Sequence, residues 1–408
     1  MTAGRRKYLI IVGDGMGDEP QEQLGAKTPL EAARTPHMDR VAAQGLLGLT
    51  ETIAPHQEPG SDVANMAILG YDPDRFHTGR APLEAASMGV KLGLRDVAFR
   101  CNLVTVNTDG QGRLLLADYS AGHISSGEGR ALIATIERTL GTESFQFYPG
   151  VSYRHLLVWR DGRDDLRITP PHDVMGEPIA PHWQVYDQAP ELRRLVTKAR
   201  PLLADHEVNR KRLAQGKPSA NAIWLWGQGR KPTMPTLRER FGLTGVAISA
   251  VDLIRGLGVS AGLEAVVVPG ATGYLDTNYA GKVTDALRAL GEKDLAFVHV
   301  EAPDEASHEG KLLLKIEAIE AFDARVVGPL LDGCGVLGNV RVLLITDHLT
   351  PIRIRTHARG LVPFAVCDVP GRQESEQRGF SERDAAATGF IVRPGHGLME
   401  KFIRGNLH

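Results

Sequence analysis

Short apolar runs at 8–12, 264–268, 295–300 and 342–346 each break off at a turn and give way to residues with helical spacing. That alternation is the signature of strands in a parallel sheet, each returned by a covering helix. The helical half of the pattern is clearest over 311–331. There Leu312, Ile316, Ile319, Phe322, Val326 and Leu330 recur at intervals of three and four and form one apolar face. The expected fold class is therefore α/β, a mostly parallel sheet sandwiched by helices. Between 95 and 217 the texture changes to short strand-like pieces (99–106, 145–148, 154–159), two helical stretches and a Pro-rich loop at 169–181. This predicts a smaller α+β domain, 95–217, inserted into a discontinuous main domain made of 1–94 and 218–408.

A chain of 408 residues, 42% of them hydrophobic, is long enough for two such domains. With 47 basic against 49 acidic residues the net charge is −2, which gives no field for nucleic acid or an anionic membrane and favours a small-molecule partner. The cysteines are Cys101, Cys334 and Cys367, odd in number and widely spaced, so neither a disulfide framework nor a cysteine zinc site is expected. A reducing, cytoplasmic setting follows. The basic start at 1–7 leads into an apolar run too short for a signal sequence, and nothing approaches the roughly 20 apolar residues of a membrane span.

Several polar residues stand just past these runs. Gly13-Asp14-Gly15-Met16-Gly17-Asp18 follows the first and has the wrong glycine spacing for dinucleotide binding. Asp304 and His308 follow the run at 295–300, four apart, so a helix would put both on one face within reach of one ion. Asp347 and His348 close the run at 342–346, and His357 lies nine residues beyond His348. Ser61 stands behind Pro59-Gly60 at a helix start, where backbone N–H groups favour an anion. Singly, each admits a structural reading: a capped turn, a solvated ion pair, an N-cap serine. Together they converge, because a parallel sheet gathers the carboxyl ends of its strands on one edge. Mixed carboxylate and imidazole donors there suit two divalent ions of the Mn²⁺ or Zn²⁺ kind better than Ca²⁺, and such sites commonly handle phosphate esters. A serine beside them would be the nucleophile.

Longer segments resemble the archaeal-type cofactor-independent phosphoglycerate mutases, within the alkaline phosphatase superfamily. They are Pro-Gly-Ser-Asp-Val-Ala-Asn (59–65) with Leu-Gly-Tyr-Asp-Pro (69–73), Thr-Gly-Arg-Ala-Pro-Leu-Glu-Ala (78–85), Phe-Arg-Cys-Asn-Leu-Val (99–104), Ser-Ala-Gly-His-Ile (120–124), Pro-Gly-Ala-Thr-Gly-Tyr-Leu-Asp-Thr-Asn-Tyr (269–279) and His-Val-Glu-Ala-Pro-Asp-Glu-Ala-Ser-His-Glu-Gly (299–310). The resemblance covers almost the whole chain. It implies an alkaline-phosphatase-like fold, interconversion of 3-phosphoglycerate and 2-phosphoglycerate, and no need for 2,3-bisphosphoglycerate. It further implies transient phosphorylation of Ser61 and two metal ions, Mn²⁺ first, with Mg²⁺, Co²⁺ or Zn²⁺ as alternatives. One ion would be held by Asp14, Ser61, Asp347 and His348, the other by Asp304, His308 and His357. The inserted domain would bind substrate through His123, Arg154, Arg212, Lys217 and Lys231.

Two departures from the family pattern flank the expected metals. The family's His-Ser/Thr-x-Asp-Pro-Val-Pro is here His357-Ala358-Arg359-Gly360-Leu361-Val362-Pro363, and Leu349 follows Asp-His where a small or polar residue is usual. The segments 223–229 and 85–89 are similar to a branch for which a homoserine kinase role has been proposed, so transfer to homoserine, or simple phosphomonoesterase action, is the alternative. Neither a P-loop nor a kinase His-Arg-Asp motif is present.

Overall fold

The structure is a computed structural model describing residues 6–371 and 378–406; the first five residues of the basic start lie outside the described residues. In chain order its strands are β1 (Lys7–Gly13), β2 (Leu46–Thr50), β3 (Val97–Thr108), β4 (Leu114–Asp118), β5 (Phe145–Tyr148), β6 (Arg154–Trp159), β7 (Ala222–Arg230), β8 (Gly245–Ile248), β9 (Glu264–Val266), β10 (Leu295–Val300), β11 (Val340–Thr346), β12 (Val362–Val369) and β13 (Ile391–Val392). They fall into two compact units, Met1–His77 with Thr233–His408, and Thr78–Pro232.

The first unit carries an eight-stranded sheet of order β13-β2-β12-β11-β1-β10-β8-β9. From β11 to β9 every pairing is parallel, whereas β12 runs antiparallel to both β11 and β2. The predicted βα alternation holds for the parallel block. Strands β1, β10 and β11 are apolar runs without alternation because helices cover both of their faces, leaving Leu9, Ile10, Ile11, Phe297, Val298, Leu343 and Leu344 inaccessible. Met38, Val283, Phe322 and Leu330 from the covering helices complete one of the cores. The expected helix over 311–331 forms as Leu312–Phe322 and Gly328–Leu337, joined by a π-turn at Asp323–Val327. There the buried Asp323 carboxylate accepts the backbone N–H groups of His37 and Met38, a tertiary demand that periodicity does not express. No helix of the described residues is long and apolar enough to cross a membrane.

The second unit is an antiparallel sheet in which β3 pairs with β4, β6 and β7 and β6 with β5. Helices Ser126–Leu140 and Pro190–Ala204 bury Leu132, Ile133, Leu192 and Val196 in its core. The unit extends past the expected 95–217 at both ends. Strand β7 belongs to it because it pairs along β3 over Val97–Val104. The helix Arg80–Ser87 belongs to it because it packs on β3 and β7, where Glu84 receives the Arg100 guanidinium at 3.0 Å. The segment 223–229 is thus a core strand, with Trp224 buried and the Trp226 indole donating to Asn102 Oδ1 at 3.1 Å.

Candidate metal centre and nucleophile

Strands β1, β10 and β11 are neighbours, so the residues after Gly13, Val300 and Thr346 emerge side by side. The chain turns sharply after β1 at Gly15, with φ +60°, and a Cβ there would collide with the Asp304 carboxylate and the Thr350 hydroxyl. Glycine is required for the loop to lie that close. Asp304 and His308 occupy the short helix Ala302–His308, one turn apart, and Asp304 Oδ2 lies 3.0 Å from His308 Nε2. Ser61 is the first residue of the helix Ser61–Ile68, whose preceding Gly60 makes no side-chain cap bond, and the positive end of a helix favours an anion. The hydroxyl is 3.1 Å from His348 Nε2.

The seven residues expected to meet do so. His308 Nε2 and His357 Nε2 are 3.1 Å apart and face Asp304 Oδ2 at 3.0 and 3.5 Å. His348 Nε2 lies 3.3 Å from Asp14 Oδ1 and 3.5 Å from Asp347 Oδ2. Two overlapping donor sets result, Asp304 with His348 and His357, and Asp14 with Asp347 and His348.

The hydrogen bonds behind these residues fix their tautomers. The Arg355 carbonyl can only accept, so His308 Nδ1 donates to it at 2.9 Å and Nε2 keeps its lone pair when the ring is neutral. Thr350 gives its hydroxyl proton to Asp304 Oδ1 at 2.6 Å and accepts from His348 Nδ1 at 3.1 Å, which again leaves a lone pair on Nε2. Imidazoles held this way are the usual arrangement behind a bound metal. The donors fit a divalent cation on a further ground. Buried Asp14 Oδ1 has no hydrogen-bond partner, and burial, then the Asp347 and Asp304 carboxylates, hold Asp14 well above the usual carboxylate range. Positive charge at this point relieves both.

Burial lowers the His348 imidazole to about 4, so it stays neutral and ready to ligate. At His308 burial also lowers the pKa, but Asp304 outweighs it and the result is about 9. The metal-free protein therefore carries a proton where an ion would sit. Since a ligating imidazole must be unprotonated, binding displaces that proton, and apparent affinity is expected to rise roughly tenfold per pH unit between about 6 and 9. Calorimetric Mn²⁺ titrations across that range check it, and a flat profile would contradict it.

Residues that motif reasoning passed over complete the site. Asn65 Nδ2 donates to Asp347 Oδ2 and to the Ser61 carbonyl, each at 2.8 Å, tying the helix of Ser61 to the loop after β11. His299 faces Asp14 Oδ2 at 3.3 Å and, on its other nitrogen, Glu301 Oε1 at 3.3 Å, and Glu301 pairs with Lys282 at 2.7 Å. The signal was available in principle: His299 and Glu301 share one face at the end of an otherwise apolar strand. The two departures from the family pattern prove to be one packing unit, since a Cβ on Gly360 would stand 2.5 Å from Leu349 Cδ1.

The expected substrate residues lie in the second unit. His123, exposed and with φ +48°, and Arg154, the first residue of β6, flank the Tyr153 ring at 6.2 and 5.2 Å. Arg212 is buried. It donates to the carbonyls of Pro218 and Ala121 and pairs with Glu128 at 3.0 Å, so its guanidinium anchors the loop that carries His123. Lys217 and Lys231 are exposed.

A serine at a helix N-terminus, set against carboxylates and lone-pair imidazoles on the carboxyl edge of a parallel sheet, defines an α/β enzyme with a candidate metal centre. The family profile described as 2,3-bisphosphoglycerate-independent phosphoglycerate mutase matches residues 42–209. A Geobacter sulfurreducens protein described as a probable enzyme of that name is 52% identical over 97% of this chain and 99% of its own. A Methanothrix thermoacetophila protein of the same description is 50% identical over 98% and 100%. A solved Pyrococcus horikoshii protein superimposes with a TM-score of 0.81 at 30% identity, covering 98% of both chains. The chain belongs to the 2,3-bisphosphoglycerate-independent phosphoglycerate mutase family.

Proposed function

We propose that this chain interconverts 3-phosphoglycerate and 2-phosphoglycerate through a phosphoryl group held transiently on Ser61. The observation that carries this reading is the Ser61 hydroxyl, poised 3.1 Å from a lone-pair nitrogen within the carboxylate and imidazole cluster of a chain that matches its relative over 99% of that relative's length. Asp14, Ser61, Asp347 and His348 would hold one divalent ion and Asp304, His308 and His357 the other, with Mn²⁺ suited to the mixed donors. Ions bound there supply positive charge that favours the serine alkoxide and neutralises phosphoryl oxygens.

In the reaction Ser61 Oγ bonds to phosphorus as the bond to the substrate's O3 breaks, and the departing oxygen takes up a proton. Glycerate stays bound, its O2 displaces Ser61 from phosphorus, and the serine recovers its proton. The positive end of the Ser61–Ile68 helix favours the anion throughout. No second phosphate donor enters the balance. Three free, buried cysteines agree with a cytoplasmic setting.

Phosphorus NMR tests the reading. Mn²⁺-loaded protein with 3-phosphoglycerate alone is expected to yield 2-phosphoglycerate, and ATP with homoserine is expected to yield nothing. Phosphorylated homoserine, or inorganic phosphate as the sole product, would replace this reading with one of its alternatives.

Substrate binding we assign to His123 and Arg154, since an exposed guanidinium can grip a carboxylate or phosphate through two parallel bonds. Arg154→Ala is expected to cut mutase turnover about 100-fold and raise the share of free phosphate, by loosening the glycerate between the two transfers. Arg212→Ala is expected instead to destabilise the fold by about 3 kcal/mol, since it leaves the buried Ala121 carbonyl unpaired and removes the partner of Glu128. Thermal melts and product ratios separate the two effects.

A further inference from the structure

Lys315 interrupts the apolar face of the helix Leu312–Phe322. Ala318, Ile319 and Phe322 beside it are core residues, and the ammonium is fully buried. Burying a charge is costly unless it is paired and hydrogen-bonded, so its contacts mark what the position requires. Lys315 Nζ donates to the carbonyls of Gly17 at 3.2 Å and Thr350 at 3.0 Å and pairs with Asp18 at 2.8 Å.

Those contacts span the loops behind the candidate metal centre. Gly17 lies three residues past Asp14, and Thr350 two past His348. The Thr350 N–H itself donates to the Gly17 carbonyl at 3.0 Å. The Thr350 hydroxyl bonds both Asp304 and the His348 ring, so its place sets the aim of two donors on different elements. Asp18 extends the clamp by accepting the Ile352 N–H at 3.2 Å, within the segment that leads to His357. One ammonium thus joins the loops after β1 and β11, from a helix that packs directly against the one bearing Asp304 and His308.

We propose that Lys315 is a positioning residue of the metal centre: its three hydrogen bonds hold the Gly17 and Thr350 loops at the separation that lets ligands from three strand ends address the same ions. The inference rests on the metal-dependent reading of the site. It differs from a stabilising salt bridge with Asp18, because the two carbonyl contacts are lost whenever the ammonium is removed, whether or not Asp18 remains charged.

The test uses full-length protein stripped of metal, with Mn²⁺ alone as the probe in calorimetry and thermal melts in parallel. Lys315→Met keeps the length and burial of the side chain while removing its donors. Paired with Asp18→Asn, it also removes the stranded carboxylate, so the double variant folds even where the single one is compromised. Replacing groups that support metal ligands typically weakens metal affinity about 10–100-fold. The double variant is expected to recover much of the wild-type melting temperature while its Mn²⁺ affinity stays at least about tenfold weaker. Wild-type Mn²⁺ affinity in the double variant would overturn the proposal and leave Lys315 as half of a structural ion pair. A wild-type protein that takes up Mn²⁺ while both variants match it refutes the positioning role alone. Wild-type protein that binds no divalent ion would refute the metal reading and this inference with it.

Discussion

Replacing Ser61 with alanine is expected to reduce mutase turnover by at least about 10⁴-fold while leaving the fold and most divalent-ion affinity in place, since loss of a covalent nucleophile removes the reaction path itself. The structure says why the damage should be confined to chemistry. Ser61 is half-buried at the first turn of its helix, and that helix is fastened by Asn65, whose amide bonds Asp347 and the Ser61 carbonyl rather than the hydroxyl. Among the expected ligands of its ion, Asp14, Asp347 and His348 all remain. Melting temperature, Mn²⁺ affinity and steady-state rates on one preparation check the claim. Residual mutase activity within tenfold of wild type would remove Ser61 from the reaction.

Metal removal carries the second large effect. Stripping the protein with a chelator is expected to abolish turnover, and Mn²⁺ or Co²⁺ to restore it, because Asp14, Asp304 and Asp347 converge with three imidazoles into a donor set suited to divalent ions that neutralise phosphoryl oxygens. Asp304→Ala should resemble the stripped enzyme even with excess metal. Its carboxylate faces His308 and His357 and also receives the Thr350 hydroxyl, so its loss disperses one donor set and loosens another. Metal content by atomic absorption, measured beside activity, decides the matter. Full activity in protein shown to be metal-free would contradict it.

Much of this was legible because parallel strands buried on both faces print themselves as apolar runs, and the residues that end such runs must share an edge. Asp14, Asp304, His308, Asp347 and His348 were grouped that way, although Asp14 stands far from the others in sequence. Strands β2, β12 and β13 were not singled out, since β2 and β13 are short and β12 follows the irregular loop that carries His357. The π-turn at Asp323–Val327 escaped notice because its cause, two backbone N–H groups from the helix Pro36–Gln44, is tertiary. Lys315 was not singled out, since periodicity cannot distinguish an exposed lysine from one buried against backbone carbonyls. Arg212 was named a substrate residue through the resemblance alone, and motif matching carries no information on the Pro218 and Ala121 carbonyls to which its guanidinium donates.

The central claim is that one phosphoryl group passes through Ser61, and quenching the working enzyme in acid tests it most directly. Mn²⁺-loaded protein mixed with 3-phosphoglycerate, stopped within one turnover and mapped by peptide mass spectrometry, is predicted to carry a single phosphate on Ser61 within Pro-Gly-Ser-Asp-Val-Ala-Asn (59–65). Formation of 2-phosphoglycerate at the full rate with Ser61 unmodified at every quench time, or with the phosphate on another residue, would contradict it.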